Sequence, residues 1–131
     1  MEVIMDSTTP IYIQIAEALE DLILEDKLKE DEQAPSTNQL ADHYKLNPAT
    51  ARKGLNILVD KQILFKKRGL GMFVSEGAKE LIITKRKEDF ADHFITKLLS
   101  ECKKLNITVD EVIDLIKTRE GSVYDETTYR D

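Results

Sequence analysis

The segment from Pro35 to Val74 constrains the fold of this chain more than any other. Ser36 and Gln39 stand three residues apart, in the pattern of a capping box that opens a short helix. Asn47 followed by Pro48 is a second helix start, which comes after a turn of three or four residues, and this helix should end near Asp60. Two helices joined by so short a turn predict a helix-turn-helix.

A β-hairpin is predicted directly after the second of these helices. Residues 63–68 and 72–74 form two short apolar or basic runs on either side of a loop that contains Gly69, Leu70 and Gly71. A hairpin in this position is a wing. The sequence therefore predicts a winged helix-turn-helix.

Helices are expected on both sides of this segment. Pro10 suits the first helical position, and apolar residues then recur at three- and four-residue spacing, which predicts a helix over about residues 10–26. Residues 27–35 form a polar connector that has room for one short strand. Helical spacing returns over about 78–105, and a capping box at Thr108 and Glu111 opens a last helix over about 109–119. The polar residues from Gly121 onward should be frayed.

The predicted fold class is therefore mainly α with a small β-wing. A winged helix-turn-helix DNA-binding domain would occupy residues 1–76, and a two-helix dimerisation region would occupy residues 77–131.

Charge is distributed unevenly along the chain. Residues 43–74 contain seven lysines and arginines against one carboxylate, whereas the whole chain has a net charge of −6. A positive segment inside an acidic protein fits a polyanion such as double-stranded DNA, because neutralising phosphates releases counterions. The acidic remainder should repel non-specific DNA, so we expect a local and specific contact.

Several classes of protein are disfavoured by the sequence. The longest apolar run is too short for a membrane span, and the chain begins with acidic residues where a signal peptide needs basic ones. The single Cys102 fits a reducing cytoplasm and, on an apolar stripe, favours a core position. Asp89 and His93 could hold a metal only weakly, and a solvated face is the favoured reading. No motif for catalysis, a cofactor or a metal is found, which argues against an enzyme.

Four stretches of the chain resemble the GntR family of bacterial winged-helix transcriptional regulators. They are residues 10–15, 35–41, 46–53 and 68–74. The short two-helix tail resembles the YtrA-type subfamily, in which the C-terminal part serves mainly for dimerisation. The resemblance implies a homodimeric regulator on a pseudo-palindromic operator, with repression as the favoured sign and no cofactor.

Two positions depart from the family pattern. The family usually has arginine where this chain has Asn38, and it often has arginine where this chain has Leu70. Two fewer cations weaken the electrostatic part of DNA binding. Asn38 can still donate to a phosphate or contact an adenine edge.

The candidate DNA-binding residues lie at the two helix starts and on the wing. They are Ser36, Thr37, Asn38, Asn47, Thr50, Arg52, Lys53, Lys66, Arg68 and Gly69. Some have competing structural roles. Asn47 and Ser36 are also helix caps, and the wing lysines can protect an edge strand from aggregation. Thr50 is included because it matches a DNA-contact position of the family.

The candidate dimer residues belong to the tail. They are Phe90, Phe94, Leu98, Val112 and Ile116. Two alternatives to a homodimeric repressor stay open. One is a ligand-responsive regulator with a small effector pocket between the DNA-binding domain and the tail. The other is a protein-interaction module that has lost DNA binding.

Overall fold

The computed structural model describes the backbone of residues 8–125 and the side chains of residues 8–121. The elements are α1 (Ile11–Leu24), α2 (Thr37–Tyr44), α3 (Pro48–Asp60), β1 (Leu64–Lys67), β2 (Gly71–Val74), α4 (Ala78–Phe90), a π-helical turn (Ala91–Ile95), α5 (Thr96–Leu105) and α6 (Val109–Asp125). The predicted fold class, mainly α with a small β-wing, is confirmed. Within the described ranges, no helix combines the length and apolar character that crossing a bilayer requires.

The helix-turn-helix begins and ends where local hydrogen bonds predict. Ser36 Oγ accepts a hydrogen bond from the Gln39 backbone N–H at 3.0 Å, and Gln39 Oε1 accepts one from the Ser36 N–H at 2.8 Å, which completes the capping box of α2. Lys45 ends α2 in the left-handed conformation, with φ of 57°. Asn47 Oδ1 then accepts from the Ala49 N–H at 2.8 Å and caps α3.

The core of the first part of the chain lies between α1, α3, the wing and the start of α4. Ile15 and Leu19 of α1 and Leu58 of α3 are fully buried. Burying such side chains stabilises the fold by about 1.5–3 kcal/mol each. Gly54 allows α1 and α3 to approach closely, because a Cβ at this position would lie 2.9 Å from the Tyr12 carbonyl oxygen.

The wing is a two-stranded antiparallel sheet with a third segment beside it. Leu64 pairs with Val74 and Lys67 pairs with Gly71. The connector before α2 runs along β2, where Gln33 forms an isolated bridge with Phe73. The short strand expected in this connector is therefore present only as that bridge.

Packing divides the chain into two compact units, one that ends at Arg86 and one that begins at Lys87. This division falls ten residues beyond the predicted domain boundary at 76/77. Ala78 and Ile82 of α4 are 0% and 1% exposed and belong to the core of the first unit. The start of α4 thus belongs to the first compact unit.

The tail helices differ from the prediction in two respects. The helix expected over 78–105 contains the five-residue π-helical turn Ala91–Ile95. The expected end of the last helix near residue 119 is wrong, because α6 continues to Asp125. One glycine costs a helix only about 1 kcal/mol, so Gly121 need not end it. The remaining polar residues, 126–131, lie outside the described part of the chain.

Candidate DNA-binding surface

The N-terminus of α2 presents a polar edge. Ser36 and Asn38 are exposed and Thr37 is half-buried. The Gln39 N–H already donates to Ser36 Oγ. The backbone N–H groups that precede Gln39 in the first turn of α2 remain available for an anion. The first turn contains no acidic residue that would compete with a phosphate.

The first half of α3 carries the second group of candidates. Asn47 is exposed and caps the helix, Thr50 is half-buried, and Arg52 and Lys53 are exposed. Ala51 and Leu55 face the core, which turns Arg52 outward. Ala49, Arg52 and Asn56 stand at the three- and seven-residue spacing of one helix face. This face is the part of α3 that a DNA groove can receive.

Neighbouring groups hold several of the basic side chains in residues 43–74. The Lys53 Nζ lies 4.0 Å from the centre of the Tyr12 ring, and the Lys67 Nζ lies 4.3 Å from that of Phe73. Lys45 pairs with Asp42 at 3.9 Å. The two cation–π contacts favour one direction for Lys53 and for Lys67, whereas the exposed pair of Lys45 with Asp42 is a weak attraction.

Three cations of the same segment have no such neighbour. Arg52, Lys66 and Arg68 are exposed, and no ion pair joins any of them to another residue of the described range. Their charge is therefore open to an external anion. This is the electrostatic arrangement that a phosphate backbone neutralises.

The tip of the wing is a tight turn held from the side. Gly69 has φ of +79° and Gly71 has φ of +121°, conformations that favour glycine. Gln33 Nε2 donates a hydrogen bond to the Leu70 carbonyl oxygen at 2.7 Å. A Cβ at Gly71 would lie 2.6 Å from that nitrogen, so this glycine makes the contact possible. The side chain of Leu70 is 64% exposed at the tip.

The start of α2 and the wing lie side by side. Ser36, Thr37 and Asn38 line a hollow of about 270 Å³ together with Gly71 and Met72 of β2. The structure thus brings the polar edge of α2 next to the wing, although some thirty residues separate them in the sequence.

Three residues of this surface were not singled out by the sequence. Tyr12 directs Lys53, Gln33 holds the wing tip, and Asn56 shares the outer face of α3 with Arg52. The helical spacing of Asn56 from Arg52 was a usable signal. Tyr12 and Gln33 lie 41 and 37 residues from their partners, so no local pattern points to them.

The candidate dimer residues all belong to the second unit, which begins at Lys87 near the end of α4. Phe90, Phe94 and Ile116 are 47%, 66% and 53% exposed, and Leu98 is half-buried. Val112 is only 6% exposed, so it packs inside its own subunit. The rings of Phe90 and Phe94 meet edge to face at 5.4 Å between centroids. An apolar groove of about 370 Å³ lies between α5 and α6.

A helix-turn-helix with free cations on its second helix, followed by a basic wing, defines a winged helix-turn-helix DNA-binding protein. The family described as "Bacterial regulatory proteins, gntR family" matches residues 11–74. The chain belongs to the GntR family and is a DNA-binding transcriptional regulator, and the resemblance predicted from the sequence is confirmed. This family regulates transcription and is not enzymatic.

Individual relatives agree with this assignment. The transcriptional repressor YtrA of Bacillus subtilis is 35% identical over 77 residues, which is 59% of either chain. A crystal structure described as a GntR-family regulator from Bacteroides thetaiotaomicron has 29% identity and a TM-score of 0.74, and it covers 86% of this chain and 97% of its own. The structure of the DNA-binding domain of AraR in complex with operator ORX1 has 28% identity and a TM-score of 0.53. The match covers 57% of this chain and 96% of the AraR chain.

Proposed function

We propose that this protein is a homodimeric repressor that binds a pseudo-palindromic operator. The observation that carries the proposal is the set of three free cations, Arg52 on α3 and Lys66 and Arg68 on the wing. Its proposed location is the bacterial cytoplasm, where such an operator would be bound.

Each element of the surface has a role in this proposal. The first half of α3 enters the major groove, where Thr50 and Arg52 reach base edges or phosphates and Lys53 reaches a phosphate. The start of α2 binds backbone phosphate through Ser36, Thr37 and Asn38. Asn47 caps α3 and lies at the same groove. The wing places Lys66, Arg68 and Gly69 beside the minor groove.

A homodimer is supported by the exposed apolar side chains of the second unit and the end of α4. Large apolar residues there are 41% to 66% exposed: Phe90, Phe94, Ile95, Leu99, Leu105, Val109, Ile113, Leu115 and Ile116. Exposed apolar side chains in this number are typical of an interface. A two-fold axis would bury it by pairing these residues with their mates, and two DNA-binding units would then match two half-sites.

Repression is supported by the name of the relative YtrA. The similarity covers 59% of that chain, so the regulatory sign is carried over as part of the proposal. A dimer bound over a promoter would block polymerase.

The proposal is tested by selecting duplexes from a random-sequence pool with the full chain and measuring affinity at two salt concentrations. We expect affinity for the selected duplex to fall steeply with salt, and to exceed affinity for random DNA by at least about 10³-fold. The variant Lys45→Ala, which removes a lysine already paired with Asp42, should keep most of the affinity. Failure to bind any duplex at low salt would favour the protein-interaction module instead.

A ligand-responsive regulator is the second candidate. The observation in its favour is the apolar groove between α5 and α6, which Glu101 and Arg119 help to line. A thermal-shift screen of small amphiphilic acids would test it, because a ligand that binds only the folded protein raises the melting temperature. A hit that also changes operator affinity would support this candidate.

A further inference from the structure

One charged side chain is buried in the part of the chain whose side chains are described. Glu20 of α1 is 6% exposed. Burying a carboxylate is strongly unfavourable unless it is paired and hydrogen-bonded. Two cations from other elements supply that compensation. Glu20 Oε1 accepts from Arg86 Nη2 at 3.0 Å and from Arg86 Nε at 3.3 Å, and Glu20 Oε2 lies 3.6 Å from Lys61 Nζ.

Arg86 is held by α1 at more than one point. Its Nη1 donates to Asp21 Oδ1 at 2.8 Å, and its Nη2 also donates to the Glu17 carbonyl oxygen at 3.3 Å. Burial lowers the pKa of Arg86, but the hydrogen bonds that it donates to Asp21 and Glu20, together with the attraction of these two carboxylates, outweigh this effect and raise the pKa above its usual value. The guanidinium is thus permanently charged, and its planar fork fixes its orientation relative to α1.

The two cations belong to elements with separate tasks. Lys61 is the C-cap residue of α3, the helix proposed to enter the DNA groove. Arg86 lies on α4 and is the last residue of the first compact unit. The preceding buried residue of α4 is Ile82, four residues or about 6 Å earlier along the helix. Glu20 therefore joins the end of α3 to the point where α4 leaves the unit.

We propose that Arg86 is a positioning residue which, through Glu20, sets the direction in which α4 leaves the DNA-binding unit and so determines the half-site spacing that the dimer accepts. This inference rests on the proposed homodimeric function. One base pair rotates a half-site by roughly 35° about the DNA axis, since B-DNA has 10–10.5 base pairs per turn. Arg86 anchors α4 to α1 one turn beyond Ile82, so we expect its removal to widen the range of directions in which the end of α4 leaves the unit, and with it the range of half-site rotations that the dimer tolerates.

The pair of Glu20 with the partly exposed Arg86 is a weak source of net stability, because the desolvation of the buried carboxylate offsets much of their attraction. The arrangement is therefore better explained by geometry than by stability. A purely structural pair would change the melting temperature when removed and leave the preference among spacings unchanged.

The experiment measures binding of the full chain to a series of duplexes. The operator that the wild-type protein selects from a random pool is remade with its spacer lengthened or shortened by one and two base pairs, and a single half-site duplex is included.

The variants are Arg86→Ala, the pair Glu20→Gln with Arg86→Ala, and Arg86→Lys. The double variant keeps the measurement possible if the buried Glu20, left with Lys61 as its one charged partner, prevents Arg86→Ala from folding. Lys79→Ala is the matched control, because Lys79 pairs with Asp26 at 3.1 Å near the already buried start of α4.

We expect the wild type and Lys79→Ala to lose at least about tenfold in affinity, or 1.4 kcal/mol, when the spacing changes by two base pairs. In the folded variants that carry Arg86→Ala that ratio should fall to within about threefold, while half-site affinity stays within about twofold. Arg86→Lys should lie between these variants and the wild type. A folded double variant that keeps the wild-type ratio would overturn the inference alone. A wild-type protein that binds no duplex, or binds as a monomer, would overturn the proposed function and the inference with it.

Discussion

At the scale of single residues, lysines and arginines from one short segment have different tasks because their neighbours differ. Lys61 pairs with the buried Glu20, and Lys53 lies over the Tyr12 ring. Arg52 extends from the same helix as Lys53 and has no ionic neighbour among the described residues. Sequence position alone makes these three cations equivalent, and only the identity of the neighbouring side chain separates them.

Replacing Arg52 with alanine should weaken operator binding. A base contact is worth about 1–3 kcal/mol, and a phosphate contact less. Arg52→Lys should recover the phosphate term and lose the bidentate base term, since lysine lacks the planar fork. Affinities for the selected operator and for random DNA, measured in parallel, separate the two cases. Unchanged affinity of a folded Arg52→Ala variant for both would show that α3 is not the helix in the groove.

Replacing Gly54 with alanine should destabilise the protein. The new Cβ would lie 2.9 Å from the Tyr12 carbonyl oxygen and 3.1 Å from Ile15 Cγ2, which forces α1 and α3 apart. Overpacking of this kind costs about 1–3 kcal/mol. Gly121→Ala is the matched control. Gly121 is also helical, and a Cβ added there would have no atom within 4 Å apart from its chain neighbours and the nearby backbone of its own helix. This substitution should stabilise the protein by up to about 1 kcal/mol. Urea unfolding measures both; equal stability of the two variants would contradict the close approach.

At the scale of elements, the helices begin at local caps, whereas the wing is positioned by a distant segment. Hydrogen bonds join Ala34 N–H to the Met72 carbonyl oxygen and Val74 N–H to the Glu32 carbonyl oxygen, at 2.8 and 3.0 Å. The connector before α2 thus supports β2 along its length, and Gln33 extends this support to the tip of the wing. The position of the wing relative to α2 follows from these contacts.

Replacing Gln33 with alanine should loosen the wing tip. The lost hydrogen bond to Leu70 is exposed, so the free energy of unfolding should change little. Operator affinity should fall by about two- to tenfold, the equivalent of one hydrogen bond. Gel shift and thermal unfolding of the same variant provide the comparison. Full operator affinity in the variant would mean that the tip does not depend on Gln33.

Acid should weaken the start of α6. The backbone and side chain of Thr108 hydrogen-bond to Glu111 and hold the pKa of its carboxyl below the usual value of 4.5. A carboxyl with a lowered folded pKa contributes stability above its unfolded pKa and loses it as the pH falls through the folded value. Helicity of the wild type should therefore decline below about pH 4.5 more than that of Glu111→Gln, which keeps the capping box without titrating. Identical acid titrations by circular dichroism would contradict this role.

At the scale of the whole molecule, the distribution of buried and exposed apolar side chains differs between the two compact units. The first unit buries a continuous core of α1, α3, the wing and the start of α4. The second unit buries Cys102 and Val112 and leaves most of its large apolar residues exposed. A second copy of the chain is the partner that we propose for this surface.

Replacing Phe94 with aspartate should dissociate the proposed dimer. Phe94 is 66% exposed in the single chain, so the substitution leaves the core of the subunit intact and introduces an unpaired charge into the interface. We expect a folded monomer with operator affinity reduced by orders of magnitude, because one half-site loses the effective concentration provided by the other. Phe94→Leu should remain dimeric. Sedimentation measures the oligomeric state of both variants. A dimeric Phe94→Asp variant with normal operator binding would show that the dimer forms through another surface.

The sequence by itself determined the features that depend on neighbours in the chain. The caps at Ser36 and Asn47, the turn between α2 and α3, and the glycine-containing hairpin could be predicted because their hydrogen bonds join residues a few positions apart. The candidate DNA-binding residues followed from those elements and from the charge of residues 43–74, and their role stays a prediction.

Only the tertiary structure decided which distant side chains meet. The link from Glu20 to Lys61 and Arg86, and the Gln33 contact at the wing tip, join residues 37 to 66 positions apart. The burial of Val112 depends on the α5–α6 contact, and the extent of α6 was underestimated because the polar composition of its last turn outweighed its helical spacing. Local patterns carry no information on such pairings, because a contact between distant residues exists only once the elements have packed.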